Sequence, residues 1–218
     1  MSAERNQAHA YVRVVRIKGD PTKVDEHIRL WTQDILPLLK KQPGFTGASL
    51  TGNRKTGDGL SVSYWESEAT MNAARPQVRP EAQRVLGMTG GSIVEDDACE
   101  VAVLQRFKPA KAGVWARITT VHGDPTRASD AVSNFMQNIV PVIEKQPGAR
   151  TALFFINRQT GRTFGGSVWD TEMDLQKSEA SISGLRAETI QKLGGKDAKT
   201  EVFEIYATEI LAPVALGV

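Results

Sequence analysis

Residues 11–71 recur as residues 115–175 at a constant offset of 104 positions, without a gap. Gly19, Asp20, Pro21 and Thr22 return as Gly123, Asp124, Pro125 and Thr126, and Lys41, Gln42, Pro43 and Gly44 as Lys145, Gln146, Pro147 and Gly148. Roughly a third of the positions in this window are identical, far above chance for an ungapped self-comparison. Beyond it the register slips by about three residues, because Glu100 and Val101 match Glu201 and Val202. Stacked-repeat architectures need three or more units, so two copies of this size describe two globular halves of common origin. The halves are placed at residues 10–107 and 113–211, joined by a linker at residues 108–112.

Each half reads as strand, helix, strand, strand, helix, strand. A β-branched segment before Gly19 gives way to Asp20 and Pro21, an N-cap followed by proline at the first helical position. Val24, Ile28, Trp31, Ile35 and Leu38 then mark one buried face, matched by Ala128, Val132, Phe135, Ile139 and Val142. Pro37 and Pro141 fall inside this pattern and predict a kink, and Pro43-Gly44 and Pro147-Gly148 stop the helix. Polar turns at Asn53-Arg54 and Asn157-Arg158 predict hairpins. Ser67 and Thr171 open a second helix, and strands over residues 100–107 and 201–210 close each half. The fold class is α+β: two ferredoxin-like βαββαβ repeats, each with helices on one face of an antiparallel sheet, forming an intrachain pseudo-dimeric α+β barrel with the sheets face to face.

Composition narrows the function classes. Of 218 residues, 40% are hydrophobic and 24% charged, which suits a globular chain. The net charge of +2 is interspersed, with no basic stripe or aromatic RNA-binding box, so no nucleic-acid partner is expected. A single cysteine, Cys99, forms no intrachain disulfide and supports no multi-cysteine metal site. No apolar run approaches the roughly 20 residues that span a bilayer, so neither a membrane partner nor a compartment other than the cytoplasm is expected. The apolar tail at residues 211–218 is a candidate for docking on its own chain or a neighbour, so a monomeric pseudo-dimer could associate further.

Tyr64-Trp65-Glu66-Ser67-Glu68-Ala69, and more loosely Val168-Trp169-Asp170-Thr171-Glu172, resemble the antibiotic biosynthesis monooxygenase domain of the dimeric α+β barrel superfamily. The resemblance implies paired βαββαβ units and oxygenation of aromatic polyketide- or quinol-like molecules without metal, flavin or haem. It also implies an Asn four residues before the tryptophan and a Tyr six after it. Here those positions hold Ser61 and Met71, and Gly165 and Leu175. A related haem-degrading branch uses a His on the second helix; no His lies between Trp65 and Phe107 or after His122, so that ligand is excluded. No cofactor and no metal is expected.

Two functions follow: a cofactor-independent monooxygenase acting on a small aromatic substrate, or a non-catalytic barrel that binds small hydrophobic molecules. In the first, Trp65 stacks on the substrate, Arg13 or His27 assists deprotonation, and Ser61, Ser63, Trp31, Met71 and Trp169 bind it. Each has a structural counter-reading: tryptophans as core anchors, Arg13 as an ion pair, and His27 as a surface residue one position off the buried stripe. Strand alternation puts Ser61 and Ser63 on the face of Trp65, leaving room beside the ring. Gly47, Ala48, Ser49 and Leu50 are smaller than Thr151, Ala152, Leu153 and Phe154, which predicts a more open pocket in the first half. Asn53 and Asn157 read as turn residues, and Cys99 and His122 carry no assigned role.

Overall fold

The computed structural model describes residues 10–211, so the tail at residues 212–218 and His9 lie outside the described residues. The chain divides into two compact units: one runs to Ala98 and resumes at Tyr206, and the other is Cys99–Ile205.

In the first unit, β1 (Tyr11–Lys18) leads through a 3-10 turn (Pro21–Lys23) into α1 (Val24–Leu30), a π-helical turn (Trp31–Ile35) and α2 (Leu36–Lys40). Asp20 starts this run as expected: Oδ1 accepts the Thr22 N–H at 2.8 Å, and Pro21 needs no donor there. The kink expected near Pro37 takes the form of the π turn, where the Leu36 N–H reaches back five residues to the Trp31 carbonyl. β2 (Phe45–Gly52) and β3 (Asp58–Trp65) form the expected hairpin, and α3 (Glu68–Met88) opens with Ser67 accepting the Thr70 N–H at 3.2 Å. β1 and β3 pair antiparallel, with Tyr11 opposite Trp65, Arg13 opposite Ser63 and Val15 opposite Ser61. These residues therefore share the face toward the helices. The end of β8 (Lys196–Ile210) completes the sheet beside β2, where Ser49 and Thr208 hydroxyls meet at 2.8 Å.

The second unit repeats the plan with β5 (Val114–His122), α4 (Ala128–Asn134), a π turn (Phe135–Ile139), α5 (Val140–Glu144), β6 (Ala149–Ile156), β7 (Arg162–Trp169) and α6 (Glu172–Lys192). Arg117 lies opposite Ser167, and Thr119 opposite Gly165. The early part of β8 pairs with β5, and the late part of β4 (Ser92–Arg106) pairs with β6.

Among the described residues, the hydrogen-bonded strand order is β1-β3-β2-β8-β5-β7-β6-β4 and closes on itself as the antiparallel barrel expected from two βαββαβ repeats. β4 and β8 each begin in one unit and end in the other. This corrects the expected closing strands: they start at Ser92 and Lys196, not near Glu100 and Glu201, and each is 15 residues long. The added stretch of β4 carries Glu95 and Asp96, whose charges are paired by arginines of β1.

Candidate functional site

Between the sheet and helices of the first unit lies a cavity of about 630 Å³, counting space open to solvent. β1 contributes Arg13, Val15 and Ile17; β3 contributes Ser61 and Ser63; α1 contributes His27; and the π turn contributes Trp31 and Ile35. α3 closes it with an apolar run that includes Val78, Ala82 and Val85. The widened π turn sets Trp31, only 2% exposed, against β3, and its Nε1 donates to Ser61 Oγ at 3.0 Å. Ser63 Oγ likewise accepts the Trp65 Nε1 proton at 3.0 Å. A hydroxyl that accepts an indole N–H keeps its own proton to donate. Burial lowers the pKa of His27, which keeps the ring neutral near pH 7. Its Nδ1 lies 3.3 Å from Thr89 Oγ1.

A polar wall closes one side. Arg13 Nη1 pairs with Asp96 Oδ1 at 2.7 Å, and Arg75 Nε reaches Asp96 Oδ2 at 3.1 Å. Arg79 Nη1 also bonds Asp96 Oδ2, so three guanidinium groups share one carboxylate. Arg75 and Arg79 stand one helical turn apart on α3 and so reach the same partner. Burial works to raise the Asp96 pKa, but the hydrogen bond and charge of Arg13, with help from Arg75, outweigh it and hold the carboxyl below its ordinary range. Arg13 also donates from Nη2 to Asn72 Oδ1 at 2.8 Å, while its Nε is buried with no hydrogen-bond partner. Asp96, Arg75 and Arg79 were not among the residues singled out from the sequence. The repeated Arg-Pro spacing, Arg75-Pro76 and Arg79-Pro80, is the signal that could have drawn attention to α3.

Of the residues singled out, Arg13, His27, Trp31, Ser61 and Ser63 line this one cavity. Trp65 and Met71 do not. Each is 1% exposed in the core of the first unit, where Trp65 packs edge-on against Phe45 with ring centroids 5.7 Å apart. Trp169 belongs to the core of the second unit, is fully buried, and donates from Nε1 to Ser167 Oγ at 2.9 Å.

The second unit has its own cavity of about 500 Å³, open space again included. Phe135 and Phe154, with ring centroids 5.1 Å apart, line it, and Gly165 stands where the first unit has Ser61. A Cβ on Gly165 would meet the Phe154 ring at 3.4 Å, so the bulkier β6 and the missing side chain on β7 go together. Arg117 is 5% exposed and bound internally: Nη2 donates to the Leu175 carbonyl at 2.6 Å, Nη1 to Ser178 Oγ at 3.0 Å, and Glu179 lies 3.1 Å away. Among the described residues no group of three His, Cys, Asp or Glu side chains could hold a metal ion, and no helix is long and apolar enough to cross a membrane.

Residues 10–77 match the family model described as antibiotic biosynthesis monooxygenase, so the resemblance carried by Tyr64 to Ala69 holds for the first repeat. Over 203 residues the chain is 24% identical to uncharacterized protein Rv2557 of Mycobacterium tuberculosis, covering 93% of this chain and 90% of that protein. Among solved structures, an anthrone oxidase-like protein superposes with a TM-score of 0.67 at 12% identity, over 100% of this chain and 99% of its own. A Listeria monocytogenes ferredoxin-fold protein, described as uncharacterized and related to antibiotic biosynthesis monooxygenases, gives 0.52 at 12% identity, over 93% and 99%. At such identities the structural likeness establishes the fold.

Proposed function

Starting from a first repeat of antibiotic biosynthesis monooxygenase type, we propose that the chain is a cofactor-independent monooxygenase whose working site is the cavity of the first unit. Its substrate is a small aromatic molecule of polyketide or quinol type with an acidic C–H or O–H. The observation that carries this reading is the convergence of His27, Trp31, Ser61 and Ser63 on one cavity, three of which the second unit replaces with Ala131, Phe135 and Gly165.

In this reading Trp31 provides the stacking surface, and the hydroxyls of Ser61 and Ser63 orient the substrate oxygen. Neutral His27 takes the acidic proton, a task suited to a base that is unprotonated at working pH. The resulting carbanion transfers an electron to dioxygen, and recombination forms a peroxide on the same carbon. Loss of water from the peroxide leaves a carbonyl, so a ring CH2 and O2 become C=O and H2O with no further reductant. Trp65 acts from behind, holding Ser63 through its indole N–H.

A second reading, a binding protein without chemistry, is favoured by one observation. Met71, which stands where the better understood family members carry a Tyr, is packed into the core and offers no polar group. Oxygen uptake by metal-stripped protein with anthrones and hydroquinones separates the two. The oxygenase predicts uptake that collapses in His27→Ala and falls in Trp31→Phe. Ligand binding without uptake, unchanged by either substitution, supports the carrier and overturns the enzyme.

A further inference from the structure

The polar wall has a charge composition that an internal ion pair does not need. Three guanidinium groups converge on Asp96, whose side chain is 10% exposed, and the Arg13 side chain is 11% exposed. The Arg13 Nε has no acceptor in spite of its burial, and the remaining cavity surface is largely aliphatic and aromatic, from residues such as Val15, Ile35, Trp31 and Val85. A buried donor left unsatisfied is costly, and clustered guanidinium groups repel one another, so a purely structural cluster would be expected to balance its charge. The second unit comes closer to balance: Arg117 and Arg186 face Glu179, and Arg117 spends its donors on a backbone carbonyl and a serine of α6.

We infer that the first unit's cavity binds an aromatic carboxylic acid, with the carboxylate received by Arg13, Arg75 and Arg79 and the ring lying along Trp31 and the aliphatic wall. The inference rests on the proposal that this cavity is the working site, and it names the substrate class. Asp96 marks the geometry the arginines offer an acid: a planar carboxylate accepting from several guanidinium groups. On binding, the ligand adds a second carboxylate to a cluster holding two uncompensated positive charges. A neutral ligand of the same shape gains the stacking surface but leaves the arginines as they were.

The test uses calorimetric titration of the whole protein with 2-naphthoate and its neutral analogue 2-naphthamide. Wild type is expected to bind the carboxylate at least about tenfold more tightly than the amide. Arg75→Ala/Arg79→Ala, changed at two partly exposed positions, is expected to close that gap, and Asp96→Asn to widen it by removing the competing anion. Equal binding of acid and amide by the wild type overturns the inference, as does a preference indifferent to all three substitutions, or binding of neither compound. Oxygen uptake on an anthrone and on its ring-carboxylated analogue, measured alongside, keeps the two ideas separate. Uptake with equal acid and amide binding overturns the acid preference alone; acid-selective binding without uptake overturns the oxygenase alone.

Discussion

Removing the carboxylate of Asp96 is expected to destabilise the fold far more than removing any one arginine bound to it. Asp96→Ala leaves the Arg13 guanidinium largely out of water, beside two other cations and with no anion. Breaking a buried ion pair from one side costs about 3–5 kcal/mol, because an uncompensated charge remains. The lower end applies, about 3 kcal/mol, since Arg75 and Arg79 are 46% and 32% exposed and can turn toward solvent. Arg13→Met keeps an apolar stem in place and leaves Asp96 with two guanidinium partners, so about 1–2 kcal/mol is expected, the scale of charged hydrogen bonds. Arg75→Ala, at an exposed position, should cost less than about 1 kcal/mol. The sign with pH follows. The folded Asp96 pKa is depressed, so its contribution is present above the unfolded value, about 3.9, and is lost as pH falls through the folded one. Urea unfolding of the three variants at neutral pH, analysed with a common slope, measures the order. Arg13→Met costing as much as Asp96→Ala, or Asp96→Ala costing under about 1 kcal/mol, would refute the reasoning.

Three further outcomes are expected. Gly57→Ala should lower the melting temperature sharply: φ is +76°, which costs a side chain about 1–2 kcal/mol by itself, and the new Cβ would sit 2.2 Å from the Gly19 carbonyl oxygen. A near-neutral melt would contradict the turn geometry. Ser63→Ala removes the hydroxyl that accepts the buried Trp65 indole N–H and should cost about 1–3 kcal/mol in chemical denaturation. His27 is half-buried and its pKa is lowered by desolvation, so protonation favours the unfolded chain and stability should decline as pH falls below about 6.5, the unfolded value. In His27→Gln, stability measured between pH 7 and 5.5 should be flatter than in wild type, and an unchanged slope would assign the decline elsewhere.

The repeat made most of the architecture legible, because identical caps, proline positions and turn residues impose the same local geometry twice. Asp20 and Asp124 cap as expected, each accepting from the threonine two residues on, and the stripe containing Trp31 and Phe135 is the buried one. The early part of β4 was hidden by its polarity. Glu95-Asp96-Asp97 carries no apolar strand pattern, and its partners Arg16 and Arg13 on β1 lie 79 and 83 positions away. Local pattern carries no trace of such partners. α3 opens at Ser67 as expected and runs unbroken from Glu68 to Met88 in spite of Pro76 and Pro80. Arg75 and Arg79 went unread because they acquire meaning only once the early part of β4 is set beside α3. Trp31, Ser61 and Ser63 were legible from alternation and helical spacing. Whether Trp65 faced the cavity or the core was not, because both readings put the ring on the same side of β3 and differ only in packing depth.

The most direct test of the central claim, that the first unit holds the working cavity, is a crystal structure of the protein with a dihydroxyanthrone soaked in under anaerobic conditions. The account predicts the ring against Trp31, with its oxygen within hydrogen-bond distance of Ser61 or Ser63 and its acidic carbon facing His27. A ligand seated instead between Phe135 and Phe154, with the first cavity empty, would contradict it.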